Sequence, residues 1–259
     1  MKNIFQIVLT ILCYILSSTL FCQQINLKDT LEINKPISSP SPWLTTRQEL
    51  LNLLPKNAIV AEIGVEAGVF SKSILSITEP HHLFLIDCWT EQPTDIFPEN
   101  RPEQLQLSLY QKVQQEFAGN DHVTIIKEFS SKAATLFPDD YFDWIYIDAN
   151  HSYEAVKEDL EIWFAKVKDG GFITGHDYFI FDRYDPKHES LLTNILDDNY
   201  YGVVQAVNEF IIKYNLSIIY LTTELDISTE KAPSYAIKIK KIEYTDPCKL
   251  DSSNVEKEN

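Results

Sequence analysis

Basic residues are scarce in this chain of 259 residues. Lys and Arg together number 22 against 38 Asp and Glu, which gives a formal net charge of -16. The few Lys and Arg residues are not clustered into a basic stripe. Because binding to the phosphates of a nucleic acid needs clustered cations, we expect no nucleic-acid partner.

Cysteine and glycine are also few, at four and seven residues. Cys13 and Cys22 lie in an apolar N-terminal segment, which leaves Cys88 and Cys248 far apart in the chain. Two such residues form no disulfide framework and match no zinc site. The glycine pattern G-x-G-x-x-G of dinucleotide-binding turns is absent as well.

The first 22 residues are almost free of charge. One Lys is followed by an apolar run, as in a secretory signal peptide with cleavage near Cys22. Residues 4–22 also form a stretch of 19 residues, long enough to cross a bilayer as an uncleaved anchor. We therefore expect a secreted or membrane-anchored protein, with a cytosol-facing anchor as one arrangement.

The rest of the chain divides into three parts by composition. Residues 23–44 are polar and proline-containing and predict a linker, whereas residues 243–259 predict a polar tail. Between them, in residues 45–242, short apolar runs alternate with segments of helical periodicity. This alternation predicts one α/β domain with a mainly parallel sheet and helices on both of its faces.

A glycine-containing turn stands at the start of this domain. A buried strand ends at Glu62-Ile63-Gly64 and a helix begins near Gly68, which gives the spacing E-x-G-x-x-x-G. Glycine permits a positive φ and close approach of a ligand to the backbone, and a helix N-terminus offers N–H donors. Glu66 lies inside the turn, where a carboxylate disfavours a pyrophosphate and suits an amine or a sulfonium.

Four acidic residues each follow a predicted strand. They are Glu62, Asp87, Asp148 and Asp177. The carboxyl ends of parallel strands share one edge of the sheet, where α/β proteins bind their ligands. Asp87 follows Gly64 by 23 residues, about the separation at which such sites place a carboxylate for the ribose hydroxyls. The four acids together predict a nucleoside-binding site.

Four motifs along the chain resemble those of a class I S-adenosylmethionine-dependent methyltransferase. The resemblance is to the small-molecule branch with D-x-x-H-S-Y and G-H-D-Y motifs (methyltransferase domain 24-like). The resemblance covers about residues 45–242. It implies a Rossmann-like three-layer αβα sandwich whose seven-stranded, mainly parallel sheet has one antiparallel strand. The motifs are Glu62-Ile63-Gly64-Val65-Glu66-Ala67-Gly68, Asp87-Cys88-Trp89, Asp148-Ala149-Asn150-His151-Ser152-Tyr153 and Gly170-Gly171-Phe172-Ile173-Thr174-Gly175-His176-Asp177-Tyr178.

The resemblance also implies roles for individual residues toward S-adenosyl-L-methionine. The turn with Glu62, Gly64 and Gly68 would hold the methionine end of this cofactor. Asp148 would lie beside the methionine amine and the reacting centre. The nucleoside end would contact Asp87 through the ribose, Cys88 and Trp89 as part of the adenine wall, and Ser130 at the adenine edge.

Two histidines are candidates for a catalytic base. In metal-dependent O-methyltransferases the corresponding motif carries a Lys next to the acceptor. His151 occupies the place of this Lys here, and the near-neutral pKa of histidine suits a base. His176 is the second candidate. Asp148 and Asp177 would be the ligands of Mg²⁺, but Tyr178 replaces the usual Asn ligand, so metal dependence stays open.

The expected activity is methyl transfer to an oxygen or nitrogen of a small molecule, which includes saccharides and secondary metabolites. One alternative is a catalytically silent protein that binds the same cofactor, and a weaker one is a nicotinamide-dependent oxidoreductase. The loops at residues 90–104 and 179–201, which should shape the acceptor pocket, carry no motif. The sequence indicates neither the acceptor nor the oligomeric state.

Overall fold

A computed structural model describes residues 43–92, 101–179, 202–224 and 232–241. The predicted signal or anchor at residues 1–22, the linker up to residue 42 and the polar tail lie outside these ranges. Within them, no helix is both long and apolar enough to span a membrane.

An eight-stranded sheet forms the centre of the domain, in the order β1-β7-β8-β6-β5-β2-β3-β4. Strand β8 is antiparallel to both of its neighbours, and all other neighbouring pairs are parallel. The strands are β1 (Trp43–Leu44), β2 (Ile59–Ile63), β3 (His82–Asp87), β4 (Val123–Lys127), β5 (Phe142–Ile147), β6 (Val167–Gly175), β7 (Ile218–Thr222) and β8 (Tyr235–Lys238). The helices are α1 (Arg47–Leu53), α2 (Val69–Thr78), α3 (Glu103–Glu116), α4 (Ser130–Ala134), α5 (Tyr153–Lys166) and α6 (Val203–Lys213).

The Rossmann-like α/β fold with one antiparallel strand is confirmed, but the sheet has eight strands rather than seven. The additional strand is β1, whose Trp43 and Leu44 pair in parallel with Leu221 and Thr222 at the edge of the sheet. A strand of two residues is too short to show the alternation that reveals strands in a sequence. It also follows a proline-rich segment that is typical of a linker.

Alternate residues of the central strands build two hydrophobic layers, one on each face of the sheet. On one face, Val60, Leu83 and Trp144 pack with helices α1, α2 and α3. On the other face, Ala61 and Ile145 pack with helices α4, α5 and α6. Because both faces of these strands are covered, the strands are apolar along nearly their whole length.

The helices agree with the sequence pattern at some points and differ at others. Thr46, with Glu49 three residues on, predicts the start of a helix, and Thr46 caps α1, since its Oγ1 accepts a hydrogen bond of 3.3 Å from the backbone N–H of Glu49. The apolar pattern of α3 predicts that Leu105 and Leu107 are buried, but these side chains are 46% and 44% exposed. Only the C-terminal half of α3 reaches the core, where Val113 is fully buried.

Candidate active site

The turn after β2 requires glycine because the ends of two strands meet there. Gly64 has a φ of +89°, and a Cβ on this residue would lie 1.9 Å from the carbonyl oxygen of Asp148. The Asp148 N–H donates a hydrogen bond of 2.7 Å to the carbonyl of Ile63. The glycine turn and the acid after β5 therefore form one continuous wall of a site.

The second glycine of the turn opens helix α2. Gly68 has a φ of +71°, and a Cβ there would lie 3.0 Å from the ring of Phe117 on the segment after α3. Glu66, between the glycines, also has a positive φ of 53°. The turn is thus held in a conformation that disfavours most side chains, as expected for a backbone that a ligand approaches closely.

Asp87 is fixed against this turn by backbone hydrogen bonds. Its Oδ2 accepts from the N–H groups of Val65 and Glu66, both at 2.9 Å, and its Oδ1 accepts from the N–H of Trp89 at 2.9 Å. Burial raises the pKa of Asp87, and the hydrogen bonds from Trp89 and Val65 offset part of this shift. The acid after β3 and the glycine turn are therefore directly connected.

The carboxylate of Glu66 has a partner that the sequence does not reveal. It forms an ion pair with Arg101, just before helix α3. A carboxylate in the turn favours a cationic ligand when the sequence is considered alone, but Arg101 already offsets the charge of Glu66. Attraction of a cationic ligand would therefore depend on the other acids of the site rather than on Glu66.

Glu62 is a buried acid at the end of β2. Its side chain is 2% exposed, and its Oε2 accepts a hydrogen bond of 2.5 Å from the hydroxyl of Ser71 on α2. Burial raises the pKa of Glu62 to about 8, although the Ser71 hydroxyl opposes the shift. At neutral pH this carboxyl is mainly protonated in the structure.

Two acids and two histidines cluster at the ends of β5 and β6. His151 Nε2 lies 3.1 Å from Asp177 Oδ2 and 3.4 Å from Asp148 Oδ1. His176 Nδ1 lies 3.1 Å from Asp177 Oδ2 and 3.7 Å from Asp148 Oδ2. All four predicted catalytic residues are thus brought together.

The two imidazoles differ in their exposure. The side chain of His176 is 7% exposed and that of His151 is 17% exposed. Burial lowers the pKa of His176, but the carboxylates of Asp148 and Asp177 raise it more, so the net shift is upward. His151 is the more exposed of the two side chains.

The three remaining nucleoside candidates lie in different surroundings. Trp89 is completely buried, and its indole N–H donates to the carbonyl of Glu66 at 2.9 Å. The neighbouring Cys88 is half-buried, and burial raises the pKa of its thiol. The hydroxyl of Ser130 donates to Asp159 and accepts from the indole N–H of Trp163 at 2.9 Å, which connects α4 to α5. Their contacts with adenine stay predictions.

The donor atoms of the cluster can be tested for their fit to Mg²⁺. One atom from each of Asp148, His151 and Asp177 lies within 4.8 Å of the others. Mg²⁺ prefers octahedral oxygen ligands, whereas the third donor here is an imidazole nitrogen. Tyr178, in the place of the usual Asn ligand, donates its hydroxyl to Asn208 at 2.8 Å. These residues therefore fit Mg²⁺ poorly.

One basic residue near the site gives no signal in the sequence. Arg47, the first residue of α1, places its guanidinium carbon 4.4 Å from the centroid of the Phe70 ring on α2. The guanidinium also lies close enough to the hydroxyl of Tyr146 on β5 to interact with it electrostatically. Sequence reasoning misses this residue because an Arg at the start of an amphipathic helix is ordinary.

Comparison with known proteins identifies one family over part of the chain. Residues 61–178 match the model of a family described as a methyltransferase domain. The match covers less than half of the chain and includes Glu62, Asp87, Asp148 and Asp177. It supports a methyltransferase. A search of the curated proteins finds no match.

Several solved structures are similar to this chain at low sequence identity. A chain of the complex that contains the Trm112 methyltransferase activator of Haloferax volcanii is 12% identical, with a TM-score of 0.53 over 76% of this chain and 89% of that one. The N-methyltransferase NodS of Bradyrhizobium japonicum WM9 is 12% identical, with a TM-score of 0.48 over 75% and 95%. An O-methyltransferase family protein of Burkholderia thailandensis is 12% identical, with a TM-score of 0.49 over 75% of this chain and 55% of its own length.

Proposed function

We propose that the domain is an S-adenosylmethionine-dependent methyltransferase acting on an oxygen or nitrogen of a small molecule, with saccharides among the candidate acceptors. The proposal depends mainly on one observation: the Gly64 turn contacts both Asp87, through Val65 and Glu66, and the backbone of Asp148. A bound nucleoside with an amino-acid end would lie along this wall. The family match over residues 61–178 supports the same function.

The residues present suit the two ends of this cofactor. The close approach at Gly64 leaves no space for a side chain between β2 and β5, so the backbone itself would face the methionine end. Asp87 is anchored with its carboxylate at the turn, where it would accept hydrogen bonds from ribose hydroxyls. The bound cofactor supplies the electrophilic methyl group, and the protein supplies alignment, worth up to about 7 to 11 kcal/mol in favourable systems.

We assign His151 as the general base that removes the acceptor's proton. Its Nε2 lies 3.1 Å from Asp177 and 3.4 Å from Asp148, so two carboxylates stabilise the imidazolium that forms when the proton is taken up. Asp177 also contacts His176, which would hold the acid in place. A positioned base of this kind contributes typically about 10²- to 10⁴-fold in rate.

A screen of acceptors with radiolabelled S-adenosylmethionine tests this function. Pools of sugars, phenols and amines are incubated with wild-type protein and with His151→Ala, and transfer of label is measured. We expect a hydroxyl or amine acceptor to be labelled by the wild type and far more slowly by the variant. Equal labelling by the variant would overturn the assignment of the base. Cofactor binding without transfer to any pool would instead favour the catalytically silent alternative.

The location of the protein is a separate proposal. We propose that residues 1–22 direct the domain to a membrane or across it, because they combine one Lys with an apolar run. A cytosol-facing anchor would keep the domain where its cofactor is made. Protease protection of membrane vesicles tests this arrangement, and a domain that is found in the soluble fraction with residues 1–22 still attached would contradict it.

A further inference from the structure

Arg47 lies between the two segments that form the wall of the site. Its guanidinium stacks on Phe70, two residues after Gly68, with 4.4 Å from the guanidinium carbon to the ring centroid. It also lies close enough to the hydroxyl of Tyr146, two residues before Asp148, to interact with it electrostatically. The rings of Phe70 and Tyr146 are themselves in contact, with centroids 4.4 Å apart. The cation is thus held beside the glycine turn and the end of β5.

The position of this cation is fixed by its backbone and by stacking. The backbone N–H of Arg47 donates to Glu224 Oε1 at 2.5 Å, which anchors the start of α1. The Phe70 ring under the guanidinium contacts the ring of Tyr146, whose hydroxyl lies 2.9 Å from that of Ser234. A guanidinium held by stacking loses less entropy when it binds a ligand than a freely rotating one.

The surroundings of Arg47 are acidic, yet its side chain makes no direct ion pair. Over the ranges that the structure describes, no carboxylate lies within 4.0 Å of its guanidinium nitrogens. Asp148 and Glu224 are nevertheless close enough to interact with it electrostatically. Because a guanidinium carries five N–H donors, Arg47 has donors for a further group.

The proposed cofactor has a group that the acids of the site cannot bind. Its methionine end carries an α-ammonium and an α-carboxylate, and ionised Asp148 would attract the first and repel the second. Arg101, the other arginine in the described ranges, is paired with Glu66. Arg47 is therefore the arginine at this wall that is available for an anion.

We propose that Arg47 binds the α-carboxylate at the methionine end of S-adenosylmethionine, an inference that rests on the proposed function. The planar guanidinium matches a carboxylate through two parallel N–H bonds. The ammonium would then lie toward Asp148, so that the two charges of the amino-acid end are recognised by opposite charges. Replacing Arg47 should lower cofactor affinity by about 10- to 100-fold, as for the loss of a hydrogen bond to a charged group.

A pair of ligands that differ in this carboxylate alone tests the inference. S-adenosylmethionine and decarboxylated S-adenosylmethionine are titrated calorimetrically into wild type, Arg47→Met and Arg47→Lys. Lys72→Met is the control, because Lys72 forms only an exposed ion pair with Glu116 on the same face of the domain. Thermal unfolding without ligand checks that each variant is folded.

We expect the wild type to prefer S-adenosylmethionine over its decarboxylated form by about 10- to 100-fold, and Arg47→Met to bind the two about equally. Arg47→Lys should retain part of the preference, and Lys72→Met all of it. An unchanged preference in Arg47→Met, or an equal loss of affinity for both ligands, would overturn the role of Arg47 and leave the proposed function untouched. If Arg47→Met does not fold, Arg47→Lys gives the test. An undiminished preference of this variant for S-adenosylmethionine would overturn the recognition of the α-carboxylate through two parallel N–H bonds. A wild type that binds neither ligand would overturn the proposed function and this inference with it.

Discussion

His151 and Asp177 meet through Nε2 and Oδ2 at 3.1 Å, which joins the loop after β5 to the end of β6. Asp148 lies on the other side of the same nitrogen, at 3.4 Å from its Oδ1. The contacts with two carboxylates hold this imidazole in one orientation. The pair therefore has the arrangement of a base and the acid that positions it.

Removal of His151 should affect turnover more than cofactor binding. We expect His151→Ala to lower kcat by about 10²- to 10⁴-fold with the acceptor found in the screen, because the base is lost. The dissociation constant for S-adenosylhomocysteine should change by less than a factor of ten, measured by calorimetry. His122→Ala, on the exposed segment before β4, is the matched control. A variant with wild-type kcat would show that another group takes the proton.

Chelation should leave methyl transfer unchanged. The cluster of Asp148, His151 and Asp177 offers an imidazole in the place of an oxygen ligand, which fits Mg²⁺ poorly. We expect the same rate before and after dialysis against EDTA, and no saturable binding of Mg²⁺ by calorimetry. Loss of activity that added Mg²⁺ restores would contradict this expectation and would make the two acids metal ligands.

Gly64→Ala should destabilise the domain and abolish cofactor binding. A Cβ at this position would lie 1.9 Å from the carbonyl oxygen of Asp148, in addition to the cost of a positive φ. Gly170→Ala is the matched control, since Gly170 has a φ of +78° but no atom within 4 Å of the place that a Cβ would take. We expect a loss of about 1 kcal/mol for the control and clearly more for Gly64→Ala, measured by denaturant unfolding. Equal losses would mean that the close approach to Asp148 is not required.

Much of the sheet could be predicted because its strands are short apolar runs that end in acids. The run H-L-F-L-I-D predicts a strand from His82 to Asp87, which are the bounds of β3. The run F-D-W-I-Y-I-D predicts a strand from Phe142 to Asp148, and β5 ends one residue earlier, at Ile147. The convergence of Glu62, Asp87, Asp148 and Asp177 follows from the parallel order of the strands alone. The parallel arrangement was in turn predictable from the alternation of strands and helices.

What the sequence could not supply are contacts between segments that are distant in the chain. Glu66, in the turn before α2, forms an ion pair with Arg101, just before α3. No periodicity of the sequence links the two residues. The contact of Arg47 with Phe70 depends on how α1 packs against α2. The edge strand of Trp43 and Leu44 forms only because β7 offers unpaired backbone groups. Each of these features is set by tertiary packing.

Glu62 predicts a pH dependence of stability. Burial raises its pKa from an ordinary value of 4.5 to about 8, so the folded state retains a proton that the unfolded state releases. The stabilisation from the neutral carboxyl is full below about pH 4.5 and is lost as the pH rises through about 8. Relative to Glu62→Gln, the free energy of unfolding of the wild type should fall by about 1.4 kcal/mol per pH unit within this window.

Denaturant unfolding of both proteins at several pH values across this window measures the slope. Burial also raises the pKa of Asp159, to about 7, but that group titrates in both proteins, and its contribution cancels in the difference. Curves that stay parallel across the window would show that Glu62 is ionised in the folded state. The buried hydrogen bond from Ser71 would then be a bond to a carboxylate rather than to a neutral acid.

The most direct test of the whole account is calorimetric titration of the wild-type protein with S-adenosylhomocysteine and, separately, with NAD. The turn of Gly64 and Gly68, the anchored Asp87 and the missing G-x-G-x-x-G pattern all favour a nucleoside with an amino-acid end over a dinucleotide. We predict saturable binding of S-adenosylhomocysteine with one site per chain and no binding of NAD. Binding of NAD alone would contradict the assignment of the cofactor and, with it, the proposed methyl transfer.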